Sequence, residues 1–400
     1  MAATAGYQAG VETSTTQLSY GSEVTWGVVP AVQFKAIRYT SESLSYTKTR
    51  QRPAEISGSR EAAQGVTTQQ QAGGTINFAF SATTFDDFFA TVLNNDWGAA
   101  TVINAIAADL TITNTGGVIT MTSTLGTKFT ALAVGQWIRT VGFVNAANNG
   151  FWYITIKASN QSMTVTGPTS TTAVTETSTT AAQGIRASNL KNGTLFKSLW
   201  IQQMFTATLF LEYAGAYVTR MTLQGGIGNF MSGAIDIVAK SEAKAIVNAS
   251  TGAVTAAPTG RVVDPIAGFI GVYWNEAQLG TAVDQFAMTL ENTGAAPEFA
   301  LGSAASAGML AGVFQASGTF RAYFNNFNQY DLFTNETIGR LSIVVQDPSG
   351  YAYVFCFQAA VLMMTLDSGG PGQPVYASIT VEGGPSGANG TFTIDRMPNS

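Results

Sequence analysis

Along much of this chain apolar and polar residues alternate with a period of two. Ile76, Phe78 and Phe80 alternate with Asn77, Ala79 and Ser81, and Ile235 and Ile237 flank Asp236. Phe286, Met288 and Leu290 alternate with Thr289 and Glu291, Leu341, Ile343 and Val345 with Ser342 and Gln346, and Val375, Ala377, Ile379 and Val381 with Ser378, Thr380 and Glu382. Such a pattern puts successive side chains on opposite faces, so these segments predict sheets with one buried and one polar face. The period changes between Thr84 and Asn94, where Phe85, Phe88, Phe89 and Val92 fall at helical spacing. Thr84 is expected to cap this helix, with Asp86 and Asp87 at its positive end. A second short helix is predicted over Asn328 to Thr334, capped by Asn328, with Tyr330, Leu332 and Phe333 as its apolar contacts.

Part of this pattern is written twice. QAGGTINFAFSATTFDDFF (71–89) and QASGTFRAYFNNFNQYDLF (315–333) agree at seven of nineteen positions, including Gly74/Gly318, Phe80/Phe324, Asp87/Asp331 and Phe89/Phe333. Average composition would give about one match. YVTRMTLQGG (217–226) and AVLMMTLDSG (360–369) repeat in the same order, and Leu199 in LWIQQMF matches Leu341 in LSIVVQD. Gln71 and Met221 lie 150 residues apart, whereas Gln315 and Met364 lie 49 apart, so the first copy holds 101 extra residues between Phe89 and Leu199. Duplicated sequence predicts duplicated architecture. The expected organisation is a first unit from residues 1–97 and 186–250, a module at 98–185 inserted into it, and a second unit at 251–400. The insert's borders are rich in Ala and Thr. Between them, short strand-like runs are separated by turn signals at Gly116-Gly117 and Asn148-Asn149-Gly150, predicting a small β-barrel or sandwich.

Composition then narrows the function. Only 11% of residues are charged, against about 25% in ordinary soluble chains. A compact monomer of this mass would expose roughly 15,000 Å², thinly covered by charge. Interface cores are depleted in charge, so assembly with neighbours is expected. Seven of the 43 charged residues lie in the polar stretch from residue 40 to 72: Glu42, Lys48, Arg50, Arg52, Glu55, Arg60 and Glu61. An ordered loop of that length is usually functional; the alternative is a flexible surface loop.

The net charge of −5 gives no basic footprint for gripping nucleic acid. The single cysteine, Cys356, excludes an internal disulfide framework and is expected to be buried in YVFCF. The N-terminus lacks the basic and apolar regions of a signal peptide, and the longest apolar run, Tyr351 to Met364, is too short to span a bilayer. There is no histidine, which removes Ser-His-Asp and Cys-His machinery and His-containing metal sites. No phosphate-binding or nucleophile-elbow motif is present, no cofactor or metal is expected, and the acids are scattered rather than paired for glycan hydrolysis. The insert's Trp137, Phe143, Phe151, Trp152 and Tyr153 could form a carbohydrate-binding face, although a domain this small needs most of them for its core.

Several stretches resemble the major tail tube proteins of long, non-contractile-tailed bacteriophages. GSEVTWGVVPAVQFKAIRYTSESLSY (21–46) resembles their first strands, and QQAGGTINFAFSATTFDDFFATVL (70–93) their strand-then-helix segment. GQWIRTVGFVNAANNGFWYITIKASNQSMTVTG (135–167) resembles an accessory module of tail proteins. The resemblance implies a mainly β protein: two tandem tail-tube-type β-sandwich domains, each with a short flanking helix, plus the inserted β module. It implies no enzyme but a virion structural protein, assembled in the host cytoplasm, whose rings stack into a hollow tail tube with six-fold geometry. The implied partners are other copies of the chain and the tail terminator, tape measure and distal tail proteins. DNA would pass the lumen without specific binding, and no membrane is involved. Usually one chain supplies one domain; a doubled chain would need three copies per ring. Asp236 and Glu291 are candidate lumen acids. Arg50 and Arg52 belong to the candidate inter-ring loop. The insert is expected to project outward with its turn at Asn145, Asn148, Asn149 and Gly150 exposed. The rival reading is an extracellular carbohydrate-binding or adhesin component of a tail fibre or baseplate.

Overall fold

A computed structural model describes residues 10–56, 58, 61–180, 182–279 and 282–398. It is mainly β, with two short helices among the described residues. In chain order, β1 (Gln17–Ser22), β2 (Lys35–Ala36), β3 (Ser41–Glu42), β4 (Ser45–Gln51) and β5 (Val66–Ala79) lead to α1 (Asp86–Val92). The insert follows with β6 (Thr101–Asn104), β7 (Leu110–Thr115), β8 (Val118–Ser123), β9 (Trp137–Val141), β10 (Gly150–Ser159), β11 (Ser162–Thr166), β12 (Glu176–Thr177) and β13 (Gly184–Ala187). Next come β14 (Asn189–Lys191), β15 (Leu199–Thr206), β16 (Leu209–Gly226), β17 (Asn229–Ala239) and β18 (Ser241–Ala245). The remainder holds β19 (Phe269–Trp274), β20 (Ala277–Gln278), β21 (Val283–Thr293), β22 (Ala296–Glu298), β23 (Gly308–Leu310), β24 (Val313–Tyr323), α2 (Asn328–Thr334), β25 (Gly339–Gln346), β26 (Ala352–Asp367), β27 (Tyr376–Gly384) and β28 (Phe392–Met397).

The repeated segments fold into repeated sheets. In the first unit β1, β15, the N-terminal half of β16 and β18 form an outer layer, and β4, β5, β17 and the C-terminal half of β16 an inner one. The second unit repeats the order with β19, β25, β26 and β28 outside, and β21, β24, β27 and β26 inside. The long strands β16 and β26 therefore serve both layers. In β16 the crossing is made at Gly215, whose φ is +62° and where a Cβ would lie 2.6 Å from the Trp26 indole nitrogen. Only glycine fits both constraints.

The two inner layers are one surface. β16 pairs with β21 from Arg220 opposite Glu291 to Gly226 opposite Gln285. This gives eight side-by-side strands in the order β4-β5-β17-β16-β21-β24-β27-β26. One outer edge is β4 and the other is the C-terminal half of β26, from Val361 to Asp367. Between the layers a shared core runs through both units, including Ile76, Phe78, Met221, Leu290, Phe320 and Phe355.

The helices correct the expectation drawn from residue types. α1 starts at Asp86, and neither helix has a side-chain cap; the N-cap residues are Phe85 and Phe327, not Thr84 and Asn328. The buried Thr84 hydroxyl is instead paired with that of Ser81 at 2.8 Å. Both helices end alike, on a left-handed residue, Asn94 (φ +50°) and Glu336 (φ +46°). In each, the N–H of that residue and of the one after it return to the last turn: Asn94 to Thr91 and Asn95 to Ala90, Glu336 to Phe333 and Thr337 to Leu332. These ends align the helices two residues away from the sequence match. Phe80 to Asp86 is two residues longer than Phe324 to Asn328, so Asp86 corresponds to Asn328, and the identities Asp87/Asp331 and Phe89/Phe333 are not equivalent positions.

The insert forms an open eight-stranded antiparallel sheet, β12-β7-β8-β11-β10-β9-β13-β6, around its own core. No barrel closes. It does not stand clear of the body, as a projecting ornament would. Trp137, Phe151 and Tyr153 leave its core to form a third apolar cluster with Tyr273, Val344, Val354, Cys356 and Met397 on the outer face of the second unit. Accessible area is 19131 Å², well above the compact-monomer figure, as separate layers and long hairpins require.

Candidate assembly surface

The polar face of the eight-stranded surface begins as alternation. Every second residue of the inner strands turns away from the core, and register lines these residues up in rows. One row runs Thr75, Asp236, Arg220, Glu291, Gln315 across β5, β17, β16, β21 and β24. Thr75 donates its hydroxyl to Asp236 at 2.6 Å, and the Arg220 guanidinium lies 3.9 Å from Glu291. Thr293 bridges Glu291 and Gln315 with its hydroxyl 2.9 and 3.1 Å away. The two sequence-predicted acids, Asp236 and Glu291, thus share one face and flank one arginine. A second cation of this face, Arg321, is held by both Asp284 oxygens and raised in pKa by that bond. Glu382 and Asp367 add negative charge to the same face. Ser, Thr, Asn and Gln fill most of the rest.

About half of the stretch from residue 40 to 72 is strand rather than loop. β4 and β5 pair over Ser45 to Gln51 and Val66 to Gly73, building a hairpin whose tip passes beyond β17. Alternating Thr and Gln with few turn residues make this stretch a strand pair. Lys48, Arg50, Arg52 and Glu55 are exposed on it, and Glu61 lies near its tip; Arg60 lies outside the described residues. Arg50 donates to the Gly65 carbonyl at 2.6 Å across the hairpin neck. The shorter β22–β23 hairpin of the second unit leaves the same end of the surface, and Gln70 N donates to the Ala304 carbonyl at 3.0 Å.

The insert turn is only partly exposed. Asn145 is open, Asn149 and Gly150 are half-buried, and Asn148 is fully buried. The Asn148 amide donates to Glu176 at 2.7 Å and accepts from the Val174 N–H at 3.1 Å, so it pins β12 to the turn. Trp137, Phe143, Phe151, Trp152 and Tyr153 are all buried, so they give no stacking platform for a sugar.

Sequence reasoning missed two buried acids at the contacts between parts. Asp86 receives the Tyr353 hydroxyl at 2.7 Å and pairs with Arg396 of the second unit, whose guanidinium stacks 4.2 Å over Trp97. Burial raises the Asp86 pKa despite that arginine. Asp395 lies at the insert contact. Asn189 donates to one oxygen at 2.8 Å, the carboxyl is wholly buried, and burial pushes it up to about 8. The Cys356 thiol is buried and pushed up to about 12 by desolvation, which makes it inert.

Among the described residues no cluster of His, Cys, Asp and Glu could hold a metal, and no helix is long and apolar enough to cross a membrane. The geometry offers open strand edges, a polar face and apolar contacts, which are means of assembly. A family model described as phage tail tube protein matches residues 13–383. No curated protein matches the sequence.

Proposed function

The chain belongs to the phage tail tube protein family, a structural component of the virion tail, and on that premise we propose that three copies close a ring of six like units. The observation that carries this is the joint between β16 and β21. There the last inner strand of one unit pairs with the first inner strand of the next. A chain that contains one such joint presents the two halves of another at its ends, as β4 and the second half of β26. Open edges call for partners. Three chains, each with eight inner strands, would close a barrel of 24, with a backbone diameter of about 37 Å before strand tilt widens it. That width admits a DNA duplex after side chains are allowed for. The polar face would line this conduit. Arg220 and Arg321 on it are both held by acids, and uncompensated cations are what phosphates bind. Residues 1–97 with 186–250 form one tube domain, 251–400 the other, and 98–185 the inserted module. The arm carrying Lys48, Arg50, Arg52, Glu55, Arg60 and Glu61 reaches toward the next ring, and the tail terminator, tape measure and distal tail proteins meet the tube at its ends and in its bore.

The internal joint also sets the register of the external one. Arg220 faces Glu291, and the equivalents of these residues are Met363 and Thr47, both exposed. Thr47→Cys with Met363→Cys, mild oxidation and a non-reducing gel should give covalent trimers, in electron micrographs showing rings. Cys356 is too deeply buried to interfere. Rings of six chains, or unrelated filaments, would refute the reading.

A further inference from the structure

We propose that α2 is a lateral docking element that seats on a second copy of this chain, over that copy's Leu44, Tyr46 and Leu211, between its Lys48 and Lys244. The inference rests on the ring reading and adds to it a contact beyond strand pairing.

The template is α1, which is seated within the chain. At its start Asp86 meets Tyr353 and Arg396 of the second unit. At its end the Val92 carbonyl accepts from the Asn292 amide at 2.9 Å. Between them Phe89 packs on Phe355 with ring centres 5.8 Å apart, and Phe88, Phe89 and Val92 are wholly buried. Beneath the helix Met288, Leu290 and Tyr353 are equally closed off from solvent.

The first unit holds the same seat, and among the described residues no α-helix covers it. Thr47 opposite Gln71 corresponds to Glu291 opposite Gln315, so Leu44, Tyr46 and Lys48 stand where Met288, Leu290 and Asn292 stand. Gln203 opposite Leu211 corresponds to Val345 opposite Tyr353, and Lys244 pairs with Leu211 as Arg396 pairs with Tyr353. Leu44, Tyr46 and Leu211 pack against the core but are only half-buried, and both lysines are exposed. At the far end of the chain α2 is the matching loose half. Tyr330, Leu332 and Phe333 are half-buried, and Phe327 is 62% exposed. Two surfaces buried against each other inside the chain thus recur, only half-buried, at the two ends of the inner sheet. Only a second copy offers both in the right order.

The external joint differs from the internal one in charge. α2 begins with Asn328 where α1 has Asp86, so the second copy's Lys244 lacks the acid that Arg396 has. The second copy's Lys48 replaces Asn292 beside the carbonyl end of the helix, where a cation is favoured.

Sedimentation of the full chain across concentrations tests this. Asn328→Asp should lower the assembly threshold roughly two- to fivefold, the size of a partly exposed ion pair. That gain should vanish in Asn328→Asp with Lys244→Ala, while Lys48→Glu should raise the threshold. All three positions are exposed, so folding is not at issue. Rings in electron micrographs without coupling between positions 328 and 244 would overturn the seat and leave the ring. Absence of rings from every variant and the unmodified chain would overturn both.

Discussion

Asp86, the first residue of α1, meets Arg396 of β28 across the joint between the two units, and the pair is shielded by Trp97. An acid buried to this degree costs stability unless it is paired. Arg396→Met should therefore destabilise the protein by about 2–4 kcal/mol, discounted because Arg396 is itself 22% exposed. Arg396→Met with Asp86→Asn should recover much of that loss. Urea unfolding midpoints of the two variants decide it, and equal midpoints would mean that the charge of Asp86 is indifferent to its partner.

Asp395 predicts a pH dependence. Its carboxyl is raised to about 8 in the fold, against about 3.9 in an unfolded chain. The fold favours the protonated form, so its stabilising effect is complete below pH 4 and is lost as pH rises toward 8. Asp395→Asn keeps a neutral group there. The variant should match the parent at pH 4 and exceed it at pH 9 in thermal unfolding. A gap independent of pH would refute the assignment.

Removal of the insert should not be silent. A Gly/Ser linker in place of residues 98–187 uncovers Tyr273, Val344, Val354 and Cys356. Loop closure tolerates the change, but the bared apolar face does not. The truncated chain should aggregate, and Cys356, closed to thiol reagents in the intact chain, should react with them. A soluble, unreactive truncation would show the contact to be dispensable.

Charge at the polar face should govern passage rather than assembly. Glu291→Lys leaves two cations beside Asp236. Tubes should still form, but DNA should adhere to them and be released by salt, since phosphate contacts are salt-dependent. Filter retention across salt concentrations measures this, and no retention would place the face elsewhere than on the bore.

Arg50→Glu with Arg52→Glu should shorten tubes without unfolding the monomer, because both side chains are exposed on the hairpin arm. Unchanged tube length in micrographs would remove the arm from ring stacking.

The sheets were legible because alternation is local. Ile76, Phe78 and Phe80 declare their face without reference to the rest of the chain. Helix starts were not, because Thr84 is drawn away by Ser81, a contact made by the packed loop. The burial of Asn148 depends on Glu176, 28 residues on, and no window around the turn contains it. The insert contact did leave a signal that alternation obscures. In Phe151-Trp152-Tyr153 and in Tyr353-Val354-Phe355-Cys356-Phe357 both parities are apolar, the mark of strands covered on two sides. Trp152 faces the insert core while Phe151 and Tyr153 face the second unit, and Val354 and Cys356 meet them there.

The fusion at β16 and β21 also bears on how a ring begins. A ring of six separate units must bring six bodies together and immobilise each. With the units joined in pairs, every second encounter is already made, at an effective concentration set by the chain rather than by the solution. Nucleation would then scale with the third power of protein concentration instead of the sixth. Growth would switch on less abruptly, and at lower abundance.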